Sequence, residues 1–164
     1  MDVGKQRILI TGASSGLGRE LAHQFAQKGN VELILVARRK EALEKVAKKC
    51  SAFENVKTRV YSVDIGSQDQ VEQLLSSITD IDILINGAGY GIMKDFSEFS
   101  DAEVVNMFDT NVIGTIQLTT EIAKRMREKK SGTIVTIASL AGKISTPTSS
   151  VYSATKFALI GYFN

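Results

Sequence analysis

Apolar residues recur along the chain in two alternating patterns, short unbroken runs and stripes at helical spacing. Residues 7–11, Arg7-Ile8-Leu9-Ile10-Thr11, form a run that ends in glycines. Leu17, Leu21 and Phe25 then recur every fourth position, which predicts a helix face, and Gly29 is placed to end that helix. Residues 32–37 make a second run, and Leu43, Val46, Ala47 and Cys50 a second stripe. Residues 56–62 alternate in part and read as a third strand, followed by a helix on Val71, Leu74, Leu75 and Ile78. A fourth strand is predicted over 81–85. A long helix follows, with Val105, Phe108, Val112, Ile116 and Ala123 on its inner face. Residues 133–137 give a fifth strand, and a last helix begins near Val151 and is still running at the end of the sequence.

Strict alternation of strand and helix with apolar strands implies a parallel sheet covered on both faces. Right-handed crossovers then make it doubly wound. Residues 1–164 read as a single α/β domain, with no repeats and no linker. The one loop rich in Ser and Thr, residues 143–150, holds the only proline, Pro147.

Composition narrows the function classes. Hydrophobic residues at 43% and charged residues at 23% suit a globular core, and a net charge of +2 argues against a nucleic-acid partner. No apolar run approaches the roughly 20 residues that span a bilayer. The N-terminus shows no secretory h-region, so a cytoplasmic location is expected. With one cysteine, Cys50, no internal disulfide can form, and a buried helix position is expected for it. His23, the only histidine, is expected at the surface or in a capping role, and no metal site is expected.

The chemistry begins in the first strand-to-helix turn, Thr11-Gly12-Ala13-Ser14-Ser15-Gly16-Leu17-Gly18. Glycines there permit a tight turn and close approach of the backbone to a pyrophosphate, with the free N–H groups of a helix start behind them. No Gly-Lys-Ser/Thr follows, so this is not a P-loop. The turn and the doubly wound sheet together predict a Rossmann-type dinucleotide site. An NAD site of this plan carries an acidic residue about 20 positions further on, for the ribose 2′-OH. Here Ala37-Arg38-Arg39-Lys40 ends the second strand, and Arg38 lies 20 residues past Gly18. A guanidinium suits a 2′-phosphate, which a carboxylate would repel. NADP(H) is therefore the expected cofactor.

Tyr152-Ser153-Ala154-Thr155-Lys156 sets a phenol and an ammonium one turn apart on one helix face. A phenol is a poor base at neutral pH, and a nearby ammonium favours its ionised form. With Thr11-Gly12-x-x-x-Gly16-x-Gly18, Asn86-Gly87-Ala88-Gly89, Ser139 and Asn111 in order, the chain resembles the short-chain dehydrogenase/reductase family over essentially its whole length. The resemblance implies an NADP(H)-dependent oxidoreductase that moves hydride between nicotinamide and a carbonyl or alcohol. It implies Tyr152 as general acid/base, Ser139 positioning the substrate oxygen, Lys156 holding the ribose, and Asn111 supporting a water in a proton relay. Cofactor contacts are implied for Gly12, Ser14, Ser15, Gly16, Leu17, Gly18, Arg38, Arg39, Asp64, Ile65, Asn86, Ala88, Gly89, Tyr152 and Lys156. Ser14 would help Arg38 at the 2′-phosphate, and Asp64 would meet the adenine. Tyr90-Gly91, residues 139–143 and Gly161-Tyr162-Phe163 resemble the branch acting on lipid-like, steroid-like or acyl carbonyls. Plain structural roles stay open for three residues: Ser139 ending its strand, Asn111 easing a helix kink, Asp64 closing a turn.

Two readings compete with turnover as a reductase. One is a catalytically silent NADP(H)-sensing binding protein of the same fold, against which the intact Ser139, Tyr152 and Lys156 argue. The other is a sugar-nucleotide epimerase or dehydratase, whose Gly-x-x-Gly-x-x-Gly loop is not present. Relatives continue into further strands, so the sheet is expected to lack its C-terminal strands here and the fifth strand to form an exposed edge. Val104, Met107, Ile113, Leu118 and Ile122 fall off the predicted inner face of the long helix. They suggest a homodimer or homotetramer contact through the two helices flanking the fifth strand.

Overall fold

The computed structural model describes residues 5–145 and 147–163. Five strands alternate with helices: β1 (Gln6–Thr11), β2 (Val31–Ala37), β3 (Val56–Ser62), β4 (Ile83–Asn86) and β5 (Thr133–Thr136). They pair in the order β3-β2-β1-β4-β5, all parallel. The helices are α1 (Gly16–Lys28), α2 (Lys40–Cys50), α3 (Gln68–Ser77), α4 (Asp101–Phe108), α5 (Gly114–Glu128) and α6 (Ser150–Phe163). Every predicted element is present. β4 starts later than expected because Asp82 is held by the first strand: its N–H donates to the Arg7 carbonyl at 2.9 Å, and its Oδ2 accepts from Arg7 N at 2.8 Å. β5 pairs only with β4 among the described residues, and Val135 on it is 44% exposed.

Alternation along the strands feeds two cores. Leu9, Ile34, Val36 and Leu84 face α3 and α5, meeting Val71, Leu74, Leu118 and Ile122. Ile8, Ile10, Leu33, Leu35 and Ile85 face α1 and α2, meeting Ala22, Ala26, Leu43, Val46 and Cys50. β2 is buried on both faces, and Glu32 is its only charged residue. Arg59 of β3 reaches Glu32 Oε1 at 2.7 Å and Arg7 of β1 reaches Oε2 at 3.3 Å, so the buried carboxylate is compensated from both neighbouring strands. Cys50 is fully buried, as its helical stripe predicts, with the half-buried His23 Nδ1 at 3.6 Å from its sulfur; burial pushes the thiol up to about 11.

Two helices present a different face from the one their large apolar residues predict. In α1 the buried positions are Gly18, Ala22 and Ala26, while Leu17 is 65% exposed and Leu21 and Phe25 pack at the margin. Small residues bring the helix close to the sheet, and side-chain size rather than hydrophobicity decides the contact. The long helix is three pieces, α4, a π-helical turn over Asp109–Ile113, and α5. Met107, Val112, Leu118, Ile122 and Met126 are buried, and Val105 is 54% exposed. Met107, Leu118 and Ile122 are therefore core, which removes three of the five residues expected to form a subunit contact. The expected inner face led by Val105 is corrected accordingly.

Among the described glycines the closest backbone approach is at the junction into α5. A Cβ built on Gly114 would stand 1.6 Å from the Ile65 carbonyl oxygen, so the helix can lie against the loop after β3 only with glycine there. Gly114→Ala should destabilise the protein by about 3 kcal/mol or more. Gly161→Ala, with open space around the same atom in α6, should be neutral or stabilising by roughly 0.5–1 kcal/mol. Denaturant melts of both variants check the pair; equal stabilities would contradict the assigned contact.

Candidate active site

The loops that follow all five strands at their carboxyl ends surround a cleft of about 430 Å³, or stand next to it. The cleft floor is the glycine turn. Gly12 has φ of 69°, and a Cβ on it would lie 2.5 Å from the Gly87 carbonyl oxygen, so the turn after β1 and the loop after β4 touch backbone to backbone. Thr11 joins them: its Oγ1 accepts from both Gly87 N and Ala88 N at 3.1 Å. Behind the turn α1 begins with no acidic residue in its first turn and no side-chain cap from Ser15. Its leading N–H groups and positive dipole end suit an anion.

Ser14 and Ser15 accept instead from a cation. Arg39 Nη2 donates to Ser15 Oγ at 2.8 Å and to Ser14 Oγ at 3.2 Å. Arg38, the residue expected to work with Ser14, turns the other way. Its Nη1 lies 3.8 Å from Asp64 Oδ2 and its guanidinium sits 5.9 Å from the Tyr90 ring centroid. Asp64 also closes its own turn, with Oδ1 accepting from Gly66 N at 2.9 Å.

Gly12, Ser14, Ser15, Gly16, Leu17, Gly18, Arg38, Arg39, Asp64, Ile65, Ala88 and Gly89 all line the cleft. Asn86 does not. It is 3% exposed on the sheet face beneath α5, where its Nδ2 donates to Thr119 Oγ1 at 2.8 Å and to Thr136 Oγ1 at 3.2 Å. Its buried Oδ1 has no hydrogen-bond partner. Asn86 thus braces β4 against β5 and α5, because its side chain leaves the strand on the face that the helix covers. Val36, Ala37, Val63, Gly87, Tyr90, Thr110 and Ile137 line the cleft without having been singled out from the sequence. Only Tyr90 and Gly87 had a signal, since they adjoin or lie within the Asn86 motif.

Beyond the cleft lies α6. Lys156 is 5% exposed, and its Nζ donates to the Ile137 carbonyl at 3.0 Å and sits 5.7 Å from the Tyr152 ring centroid. Burial pushes the ammonium below its usual range. Asn111 is fully buried in the π-helical turn, with its Oδ1 accepting from Tyr90 N. A Cβ on Gly89 would stand 3.2 Å from Asn111 Oδ1 and 3.6 Å from Lys156 Nζ, so the three residues meet. Tyr152 rests on Gly91, where a Cβ would come within 3.0 Å of its ring. Ser139 opens a 3-10 turn over Leu140–Gly142, its Oγ accepting from Ala141 N at 3.2 Å, and that turn packs on α6. The loop over residues 91–99 is tied to the segment before α6 by Lys94 N donating to the Thr148 carbonyl at 2.9 Å. Lys94 Nζ meets Glu103 at 2.6 Å and, with the Ser100 cap, holds that carboxyl down at about 2.

A family model described as short chain dehydrogenase matches residues 6–164. The chain belongs to the short-chain dehydrogenase family. Among relatives, this short-chain dehydrogenase is 38% identical over 164 residues to human dehydrogenase/reductase SDR family member 7, covering 96% of this chain and 48% of that protein. It is 35% identical over 157 residues to the NADP-dependent 3-hydroxy acid dehydrogenase of Schizosaccharomyces pombe, covering 93% and 61%. A solved short-chain dehydrogenase from Sphingobium yanoikuyae in complex with NADPH superposes with a TM-score of 0.89 at 31% identity, over 96% of this chain and 62% of that one. The chain spans about half the length of the curated relatives it matches first. Among the described residues no helix is long and apolar enough to cross a membrane, and no cluster of three or more His, Cys, Asp or Glu is placed to hold a metal.

The Thr11 hydroxyl carries the joint between the glycine turn and the loop after β4. Thr11→Val should leave two part-buried amides without an acceptor and cost about 2 kcal/mol or more. Thr11→Ser should recover most of it. Equilibrium urea unfolding measures both, and a Val variant as stable as the parent would remove this role from Thr11.

Proposed function

We propose that this chain forms the cofactor-binding and catalytic part of an NADP(H)-dependent dehydrogenase/reductase acting on a carbonyl or alcohol. The observation that carries the reading is the buried Lys156 ammonium beside Tyr152, at the end of a cleft whose floor is a glycine turn backed by a helix N-terminus. The cleft fits a dinucleotide. Its turn leaves no room for a side chain at Gly12 or Gly18, its helix start carries no acid, and its far wall carries two arginines. When bound, the nicotinamide cofactor supplies or accepts the hydride. Lys156, Tyr152, Ser139 and Asn111 would serve the other half of the reaction.

In the reducing direction the Tyr152 hydroxyl donates its proton to the substrate oxygen as that oxygen gains negative charge; in the oxidising direction it withdraws the proton. Lys156, enclosed with its ammonium 5.7 Å from the Tyr152 ring centroid, is assigned to hold the nicotinamide ribose next to the phenol. The Ser139 hydroxyl, at the start of its turn, is assigned to hold the substrate oxygen. The 2′-phosphate is assigned to Arg39 with Ser14 and Ser15, where one guanidinium and two hydroxyls already converge, and Arg38 is assigned to the adenine side between Asp64 and Tyr90. Support for NADP(H) also comes from the fission-yeast relative, named for its NADP dependence, and from the NADPH complex of the structural neighbour.

Tyr152→Phe keeps the ring and removes the transferable proton. Turnover should fall by about a hundred-fold or more while NADPH still binds. Steady-state kinetics with a carbonyl panel, run beside NADPH fluorescence titration, measure both quantities, and near-normal turnover would remove the acid/base role.

Cofactor choice gives a separate test. Arg39→Asp should weaken NADPH binding by roughly ten- to a hundred-fold, the scale of a charge-assisted hydrogen bond, with little effect on NADH. Arg38→Asp should weaken NADPH less. A preference for NADPH over NADH unchanged in both variants would refute the phosphate assignment.

A further inference from the structure

Thr155 lies between Tyr152 and Lys156 in the sequence, and its side chain is fully buried. Its Oγ1 donates to the Tyr152 carbonyl at 2.7 Å, a bond that helical threonines often make to the preceding turn. The second partner is not local. Asn111, 44 residues away, donates from Nδ2 to Thr155 Oγ1 at 3.0 Å. With the hydroxyl proton on the Tyr152 carbonyl, a lone pair is left for Asn111.

Asn111 is committed on its other sides as well. Its Oδ1 accepts from Tyr90 N at 3.0 Å and its Nδ2 donates to Tyr90 O at 2.8 Å. A backbone N–H can only donate and a carbonyl can only accept, so the orientation of the amide is fixed by its partners. The π-helical turn over Asp109–Ile113 is what carries Asn111 to this point. Next to Tyr90 stands Gly91, the wall on which the Tyr152 ring rests, with a would-be Cβ 3.0 Å from Cδ2 and 3.1 Å from Cγ.

We infer that Thr155 is a positioning residue for the Tyr152 phenol: its hydroxyl locks the Tyr90 and Gly91 backbone, through Asn111, to the turn of α6 that bears Tyr152 and Lys156. The inference rests on the proposed acid/base role of Tyr152. Thr155 acts only through its neighbours. Without the hydroxyl one buried Asn111 proton loses its acceptor, and the wall behind the phenol is no longer tied to the helix that carries it.

The test compares Thr155→Val, which has nearly the same shape without the hydroxyl, with Thr155→Ser, which keeps the hydroxyl, in the purified protein beside Tyr152→Phe. Thr155→Val should lower kcat by between about ten-fold and a hundred-fold and move the pH dependence of kcat, because a small misplacement of a reacting group has that scale. NADPH affinity should stay within about two-fold, since ground-state binding is not what the bond serves. Thr155→Ser should restore both kcat and the pH profile. If Thr155→Val does not fold, Thr155→Ala, which leaves room for a water to re-pair Asn111, carries the same comparison. Parental kcat and pH profile in the Val or Ala variant, or a loss that Ser does not restore, would overturn the inference. An active Tyr152→Phe overturns the acid/base reading itself, whereas an inert Tyr152→Phe beside a fully active Thr155→Val overturns only the role given to Thr155.

Discussion

Parallel strands cannot be joined by tight hairpins, so each must hand the chain to a crossover that returns it to the end of the sheet where it started. Everything functional in this molecule follows from that constraint. The loops leaving the strands all emerge on one side, and the helices between them supply both cores. Hence the glycine turn, the paired arginines, Asp64, the loop over residues 87–90 and Ile137 meet although they are spread over some 125 residues of sequence. The strand order puts β1 at the centre, between β2 and β4, so its turn is touched by loops from both sides.

Closeness at that junction then sets the details. Gly12 against Gly87, Gly18 against Gly12, and Gly114 against Ile65 are all contacts in which backbone meets backbone with no side chain between. Hydrogen bonds from threonine and asparagine side chains finish the joints: Thr11 to the loop after β4, Asn86 to Thr119 and Thr136, Asn111 to Tyr90 and Thr155. At the carboxyl end of the sheet the Ile137 carbonyl accepts from the enclosed Lys156 ammonium.

Much of this was legible in the sequence. Periodicity placed all five strands and the buried stripes of α2 and α3, because those contacts are led by Leu, Val and Ile, whose size and hydrophobicity coincide. It misplaced the inner faces of α1 and of the α4–α5 run. In α1 the contact is made by the smallest residues. In α4–α5 the Val105 stripe was chosen over an equally apolar one led by Met107, and nothing in the sequence distinguishes them before the packing is known. The glycine turn and the Tyr152/Lys156 pair were visible as motifs. Which arginine would face the serines was not, since Arg38 and Arg39 are adjacent and their directions depend on Asp64 and Tyr90 arriving from other loops. Asn86 faces away from the cleft that its motif neighbours line, because its side chain leaves β4 on the face that α5 covers.

Cys50 has a consequence of another kind. The thiol is enclosed between α1 and α2, next to His23 and away from solvent, and burial holds it almost entirely protonated at neutral pH. Thiolate is the reactive form. With no second cysteine in the chain, the molecule carries one silent label site. An alkylating reagent finds it only in molecules whose α1–α2 layer has lifted from the sheet, and the labelling rate is a clock for that opening.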